Sequence, residues 1–141
     1  MNLLYEGKSK QVYESGSPDT YIIKYKNTAT ALNGLKKEDL EGKGELNCAI
    51  SGLIFDYLEK NGVRTHLVRA IDPVTVEVKR AEIVMVEVIV RNIAAGSFSK
   101  KYGVEEGTPL RNTTTEFSLK SDELGDPMIN DSQITALGLA T

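Results

Sequence analysis

Tryptophan is absent from this 141-residue sequence, which holds one cysteine, one histidine and four prolines. A lone thiol, Cys48, cannot close an intrachain disulfide, and with His66 as the sole imidazole no zinc site of Cys and His ligands can be assembled. Such cysteine usage suits a reducing compartment. No run approaches the roughly 18 apolar residues of a membrane-spanning helix. The opening MNLLYEGKSK brings charge within a few residues of the start, where a secretory leader would carry an apolar core. Positive charge is not in excess either: 17 Lys and Arg face 20 Asp and Glu, for a net charge of −3. A broad nucleic-acid footprint is therefore excluded, and any anion must be bound locally. The expectation is a cytoplasmic protein with neither nucleic-acid nor membrane partners.

What is present is the makeup of a globular domain. Hydrophobic residues at 40% and charged residues at 26% match ordinary soluble chains. A chain this long buries roughly two-thirds of its unfolded surface without staples. Short β-rich segments at 3–6, 11–14 and 21–26, split by Gly7-Lys8-Ser9-Lys10 and by Ser15-Gly16-Ser17-Pro18-Asp19, predict an antiparallel meander. Residues 45–60 place apolar side chains at 46, 49, 50, 53, 54, 57 and 58, the stripe of a long amphipathic helix, with Gly62 set to end it. Strands are expected at 66–71, 75–79, 83–92 and 113–120, a short helix at 95–102 and a break at Gly125-Asp126-Pro127. Residues 132–141 look like the start of a helix without a C-terminal capping signal, so the chain reads as cut. The fold class expected is α+β. Residues 1–80 would form an N-terminal unit, and 81–141 the beginning of a second, α/β subdomain.

Several segments carry groups suited to chemistry. Gly7-Lys8-Ser9-Lys10 lies between two strands and lacks the spacing of a Walker A loop, so a hairpin lid over phosphates is the closer analogy. A solvated basic turn is the commoner use of such a segment. In the strand at 83–92, alternation gives one face to Val84, Val86, Val88 and Val90, and the other to Met85, Glu87, Ile89 and Arg91. Charges in so apolar a strand need partners. Either Glu87 and Arg91 join a structural network, or they face a polar site. The turn Ala94-Ala95-Gly96-Ser97 can hold an anion with its N–H groups and the Ser97 hydroxyl, or Ser97 can simply be an N-cap. The acidic turn from Lys120 to Asn130 could lend Asp126 to a magnesium site, although such loops are more often only solvated.

Taken in order, Y-E-G-K-S-K-Q-V-Y at 5–13, T-A-L-N-G at 30–34, E-G-K-G at 41–44, I-V-M-V-E-V-I-V-R-N-I-A-A-G-S at 83–97 and D-P-M-I-N at 126–130 resemble the SAICAR synthetase family over essentially the whole chain. The E-x-x-x-R-x-x-x-A-G-S spacing is the most specific of these. The resemblance implies a kinase-like fold in which the N-terminal sheet covers ATP. Gly7, Lys8, Ser9 and Lys10 would then lie at its phosphates, with Lys79 and Ile83 near the adenine. It further implies that Glu87, Arg91, Gly96 and Ser97 hold carboxyaminoimidazole ribotide (CAIR), that Lys120 and Arg91 serve catalysis, and that Asp126 serves Mg²⁺. The implied reaction activates the ribotide carboxylate with ATP and joins it to L-aspartate, in a protein that self-associates into a homo-oligomer or acts alone.

Two positions depart from the family pattern: Met85 stands where Pro is usual, and Leu32 where an aromatic residue is frequent. The later V-D-x-K-x-E-F-G segment expected to bring magnesium ligands does not occur before Thr141. The expectation is therefore an N-terminal portion, inactive alone. The alternative is a non-catalytic nucleotide-binding fragment. Neither H-R-D nor D-F-G occurs, which disfavours a protein kinase.

Overall fold

The N-terminal hairpin of β1 (Leu3–Glu6) and β2 (Lys10–Glu14) is followed by β3 (Thr20–Tyr25), whose Thr, Ile and Tyr residues favour a strand. The structure, a computed structural model, describes residues 1–31 and 36–141. The turn expected around Leu32, Asn33 and Gly34 lies outside the described residues. Flanking it, β4 (Thr28–Ala31) and β5 (Lys36–Asp39) pair antiparallel, a ladder the sequence pattern did not suggest. Helix α1 (Lys43–Lys60) leads to β6 (Leu67–Asp72) and β7 (Thr75–Lys79). The first sheet has the order β1-β2-β3-β7-β6, every neighbour antiparallel. These elements make up one unit, Met1–Ala81.

The core of this unit consists of Tyr25, Val76 and Val78 from the sheet and Cys48 from α1, with Tyr21, Ile23 and Leu67 packed around them. The apolar stripe of α1 does not face the sheet: Leu46, Ile50, Leu53, Ile54 and Tyr57 are all exposed. The helix packs instead on its small-residue face. Gly44 and Cys48 are buried, Ser51 and Gly52 half-buried, and Phe55 meets the His66 ring edge-on at 5.0 Å between centroids. Gly44 decides this choice, because a Cβ there would stand 3.0 Å from the Tyr25 carbonyl oxygen. The first helical turn thus approaches the sheet more closely than any side chain allows. Asn27 completes the junction by accepting from the Gly44 N–H at 2.9 Å. At the other end Gly62, at φ 81°, closes α1 as expected, with the Val63 N–H donating to the Leu58 carbonyl.

Two consequences can be measured. Leu53→Lys should change unfolding free energy by no more than about 0.5 kcal/mol, since the side chain leaves no packed site. Val78→Ala, at a residue only 2% exposed, should cost about 2 kcal/mol. Urea melts that reverse this order would restore the stripe to the core. The second consequence concerns pH. Partial burial, and then the Lys10 charge, hold the His66 imidazole below its usual value. A lowered native pKa means that the unfolded chain binds more protons as pH falls through about 6.5. His66 therefore contributes stability that is fully present above that pH and lost as pH drops toward the native value. His66→Gln should flatten this part of the stability profile.

The second unit, Glu82–Thr141, contains β8 (Val86–Ile93), α2 (Ser97–Tyr102), β9 (Pro109–Leu119), β10 (Met128–Ile129) and α3 (Asp131–Ala136). Its strands run in the order β10-β9-β8, again antiparallel, so the expected α/β beginning is an α+β one. The strand predicted from residue 83 starts only at Val86, where pairing with Leu119 begins. Asn130 and Gln133 form a reciprocal capping box on α3. The sequence reading that α3 lacks a C-terminal stop is also corrected. Gly138 adopts φ 65°, and the Leu139 N–H donates to the Ile134 carbonyl, ending the helix. Among the described residues no helix is long and apolar enough to cross a membrane.

Candidate functional site

In β8 the two faces are occupied as alternation predicts, yet the more polar one is better covered. Ile89 pairs with Glu116 and Arg91 with Thr114 on the face that also carries Glu87 and Ser118. Val88 and Val90, on the other face, are exposed. The partner that Arg91 requires is Glu116 of β9, not Glu87 of its own strand. Arg91 Nε donates to Glu116 Oε2 at 2.8 Å, and the two side chains retain only 17% and 14% of their exposure. Glu87 is exposed, and its side chain has no hydrogen bond or ion pair among the described residues.

The rest of the guanidinium reaches the turn that follows β8. Nη1 donates to the Ala95 carbonyl at 3.3 Å and Nη2 to Ser97 Oγ at 3.1 Å. Phe98 lies 6.0 Å from the guanidinium carbon. Ser97 is the first residue of α2 and not its N-cap, and its hydroxyl accepts from Arg91. Gly96 makes the turn possible with φ 56° and ψ −123°, a backbone conformation that side-chain-bearing residues avoid. Ala94, fully buried, pins the turn from below by exchanging backbone hydrogen bonds with Gly107 and Thr108. The expectation that the turn offers free N–H groups needs correction at Gly96, whose N–H donates to Glu106 Oε1 at 3.2 Å.

Further along, Lys120 is exposed at the end of β9, its backbone N–H on the Met85 carbonyl. Asp126 sits at φ 49°, and its Oδ1 accepts from the Ser121 N–H at 2.8 Å. That bond explains how an aspartate tolerates a left-handed conformation. Among the described residues no three His, Cys, Asp or Glu side chains gather as a metal site would require. Asp126 can offer its second oxygen to a cation, and one carboxylate with substrate phosphates is a set magnesium accepts.

In the first unit, Gly7-Lys8-Ser9-Lys10 connects β1 to β2, closed by the Gly7 N–H on the Lys10 carbonyl at 2.8 Å. The Lys26 N–H holds the Ser9 carbonyl at 2.9 Å. Lys8 is exposed, while the Lys10 ammonium lies 5.2 Å from the centroid of the Tyr25 ring, on the α1 side of the sheet. Lys79 borders an open cavity of about 190 Å³ with Glu59, Gly62, Val63, Arg64 and Thr65. Ile83 is 73% exposed and belongs to the other unit. Burial, and then the Asp72 carboxylate, push the Cys48 thiol up, so this residue acts as a protonated packing group.

Glu116 and Glu106 escaped the sequence reading. T-T-T-E-F carries no local signal that its glutamate stands diagonally across from Arg91, since that depends on the β8–β9 register.

Residues 3–141 match the SAICAR synthetase family. The phosphoribosylaminoimidazole-succinocarboxamide synthase of Finegoldia magna is 53% identical over 141 residues, all of this chain and 61% of its own length. The Nautilia profundicola synthase is 50% identical over 99% of this chain and 59% of its own. Among solved structures, the Ehrlichia chaffeensis synthase superposes with a TM-score of 0.96 at 35% identity, covering 99% of this chain and 59% of that one. A SAICAR synthetase in complex with ADP follows with a TM-score of 0.91 at 38% identity, over 95% and 57%. The chain thus spans about 60% of the length of the curated relatives it matches. On this sequence and structural agreement, the chain belongs to the SAICAR synthetase family.

Proposed function

We propose that the chain supplies the nucleotide-covering and ribotide-facing parts of an ATP-dependent ligase of purine biosynthesis. The observation that carries this reading is the Arg91 guanidinium, tied to Ser97 where β8 ends and still holding N–H groups for an anion. In this reading β1–β3 form a kinase-like lid. Gly7, Lys8, Ser9 and Lys10 attend the phosphates of ATP, and Lys79 and Ile83 the adenine. Arg91, Glu87 and Ser97 hold CAIR, with Gly96 shaping the turn that presents Ser97. Lys120 compensates charge on the transferring phosphoryl group. The γ-phosphoryl group passes to the ribotide carboxylate, giving an acyl phosphate and ADP. The L-aspartate amine then attacks the acyl carbon, loses a proton and expels phosphate. Cations and oriented dipoles suit both steps, which develop charge on oxygen and need little covalent help. Asp126 gives one carboxylate toward a magnesium ion, whose role when bound is to neutralise phosphate charge. The compartment proposed is the cytoplasm, and the exposed apolar face of α1 is free to meet further family chain or a second copy.

The 141-residue chain alone is proposed to bind nucleotide without completing the reaction. Calorimetric titration with ADP and an assay with ATP, L-aspartate and CAIR test this. Binding that Lys8→Ala or Lys10→Ala weakens, without product, is the expected result. Turnover at the rate of a full-length relative contradicts the claim that more chain is needed, and absence of nucleotide binding contradicts the lid.

A further inference from the structure

We propose that Glu116 is the positioning residue of the ribotide site, holding the Arg91 guanidinium in the orientation that receives the ribotide's anionic group. The inference rests on the reading of Arg91 given above and extends it to a residue on another strand. A guanidinium has five N–H donors. Glu116 takes the Nε hydrogen, Ala95 one on Nη1 and Ser97 one on Nη2, which leaves one hydrogen on each terminal nitrogen without a partner among the described residues. Two such N–H groups remain as donors for the oxygens of an anion.

Only Glu116 fixes the arrangement with a charge. The carbonyl belongs to a turn and the hydroxyl to the first residue of the short helix α2, whereas Glu116 is anchored in the β-ladder directly opposite Ile89. Thr114, the direct cross-strand neighbour of Arg91, does not share the task, because its buried hydroxyl has no hydrogen-bond partner. Pairing with Glu116 at 2.8 Å also keeps the half-buried cation from swinging to solvent before ligand arrives. The carboxylate is hydrogen-bonded at Nε and at neither terminal nitrogen, so it orients Arg91 without taking up the donors left for the ligand.

The test uses a family ligase in which this chain is joined to the remainder of a relative's sequence. Glu116→Ala should raise the KM for CAIR about tenfold, equivalent to about 1.4 kcal/mol, and leave the KM for ATP within about twofold and kcat within about threefold. Glu116→Gln, which keeps an oxygen acceptor, should recover most of the loss. On an Arg91→Ala background, Glu116→Ala should add nothing further to KM. The Arg91 Nε–H resonance, sharp and shifted by the carboxylate, should broaden in Glu116→Ala even without ligand. If Arg91→Ala raises the CAIR KM and Glu116→Ala does not, or if the two effects add, the positioning role is wrong while the ribotide reading stands. Should Arg91→Ala itself leave that KM unchanged, the ribotide reading fails. If Glu116→Ala lowers stability so far that kinetics are inaccessible, the Glu116→Gln KM and the Nε–H signal decide.

Discussion

Arg91→Lys, placed in a ligase that contains this chain, is expected to lower kcat/KM for CAIR about 100-fold, with nucleotide affinity changed by no more than about twofold. The wild-type guanidinium spends three donors on Glu116, Ala95 and Ser97 and keeps two coplanar ones for a ligand. A lysine ammonium has three donors converging on one atom. It can satisfy Glu116 or the ligand, but not all partners in one plane. About 2.7 kcal/mol of binding free energy follows from losing one bidentate anion contact and part of its orientation. ADP titration and CAIR kinetics on the same preparation provide the check. Equal losses for both ligands would show that Arg91 supports the fold and not the ribotide.

The largest expected effect on stability lies at Gly44. Its missing Cβ would stand 3.0 Å from the Tyr25 carbonyl oxygen and 3.1 Å from the Asn27 side-chain Oδ1, the two groups that form the junction beneath α1. Gly44→Val adds a Cβ and two methyl groups to a space that cannot accept even the Cβ, and it disturbs the Asn27 cap at 2.9 Å. The cost should be about 3 kcal/mol, the range of overpacking against a rigid neighbour. Gly52, in the same helix, has nothing within 4 Å of an added Cβ and an ordinary helical backbone. Gly52→Ala should therefore stabilise by roughly 0.5–1 kcal/mol through helix propensity. Urea unfolding of both variants separates close approach from propensity, because a simple propensity effect would make both substitutions stabilising.

Elements legible in the sequence were those that local rules determine. The meander of β1, β2 and β3, the existence of α1 and its stop at Gly62 follow from alternation, period and a capping glycine. Which side of α1 faces the sheet did not follow. The hydrophobic stripe marks a surface that wants cover, while the packed side follows from the close approach that Gly44 permits beside Cys48, a tertiary constraint invisible to hydrophobic periodicity. At the candidate site, Arg91, Gly96 and Ser97 were legible as types at a spacing. Glu116 was not, since strand register decides which glutamate an arginine meets. Glu106, which reaches the Gly96 N–H from ten residues away, depends similarly on how the loop after α2 folds back. Gly138 was overlooked although a late glycine is a local signal.

The central claim is that this chain performs the first part of a SAICAR synthetase's work. Its most direct test is a chimera in which these 141 residues replace the matching segment of a curated relative about half identical to it. Product would be quantified from ATP, L-aspartate and CAIR alongside ADP and phosphate. The account predicts SAICAR, ADP and phosphate in equal amounts at a rate within about tenfold of the parent. A folded chimera that binds ADP yet forms no SAICAR would contradict it.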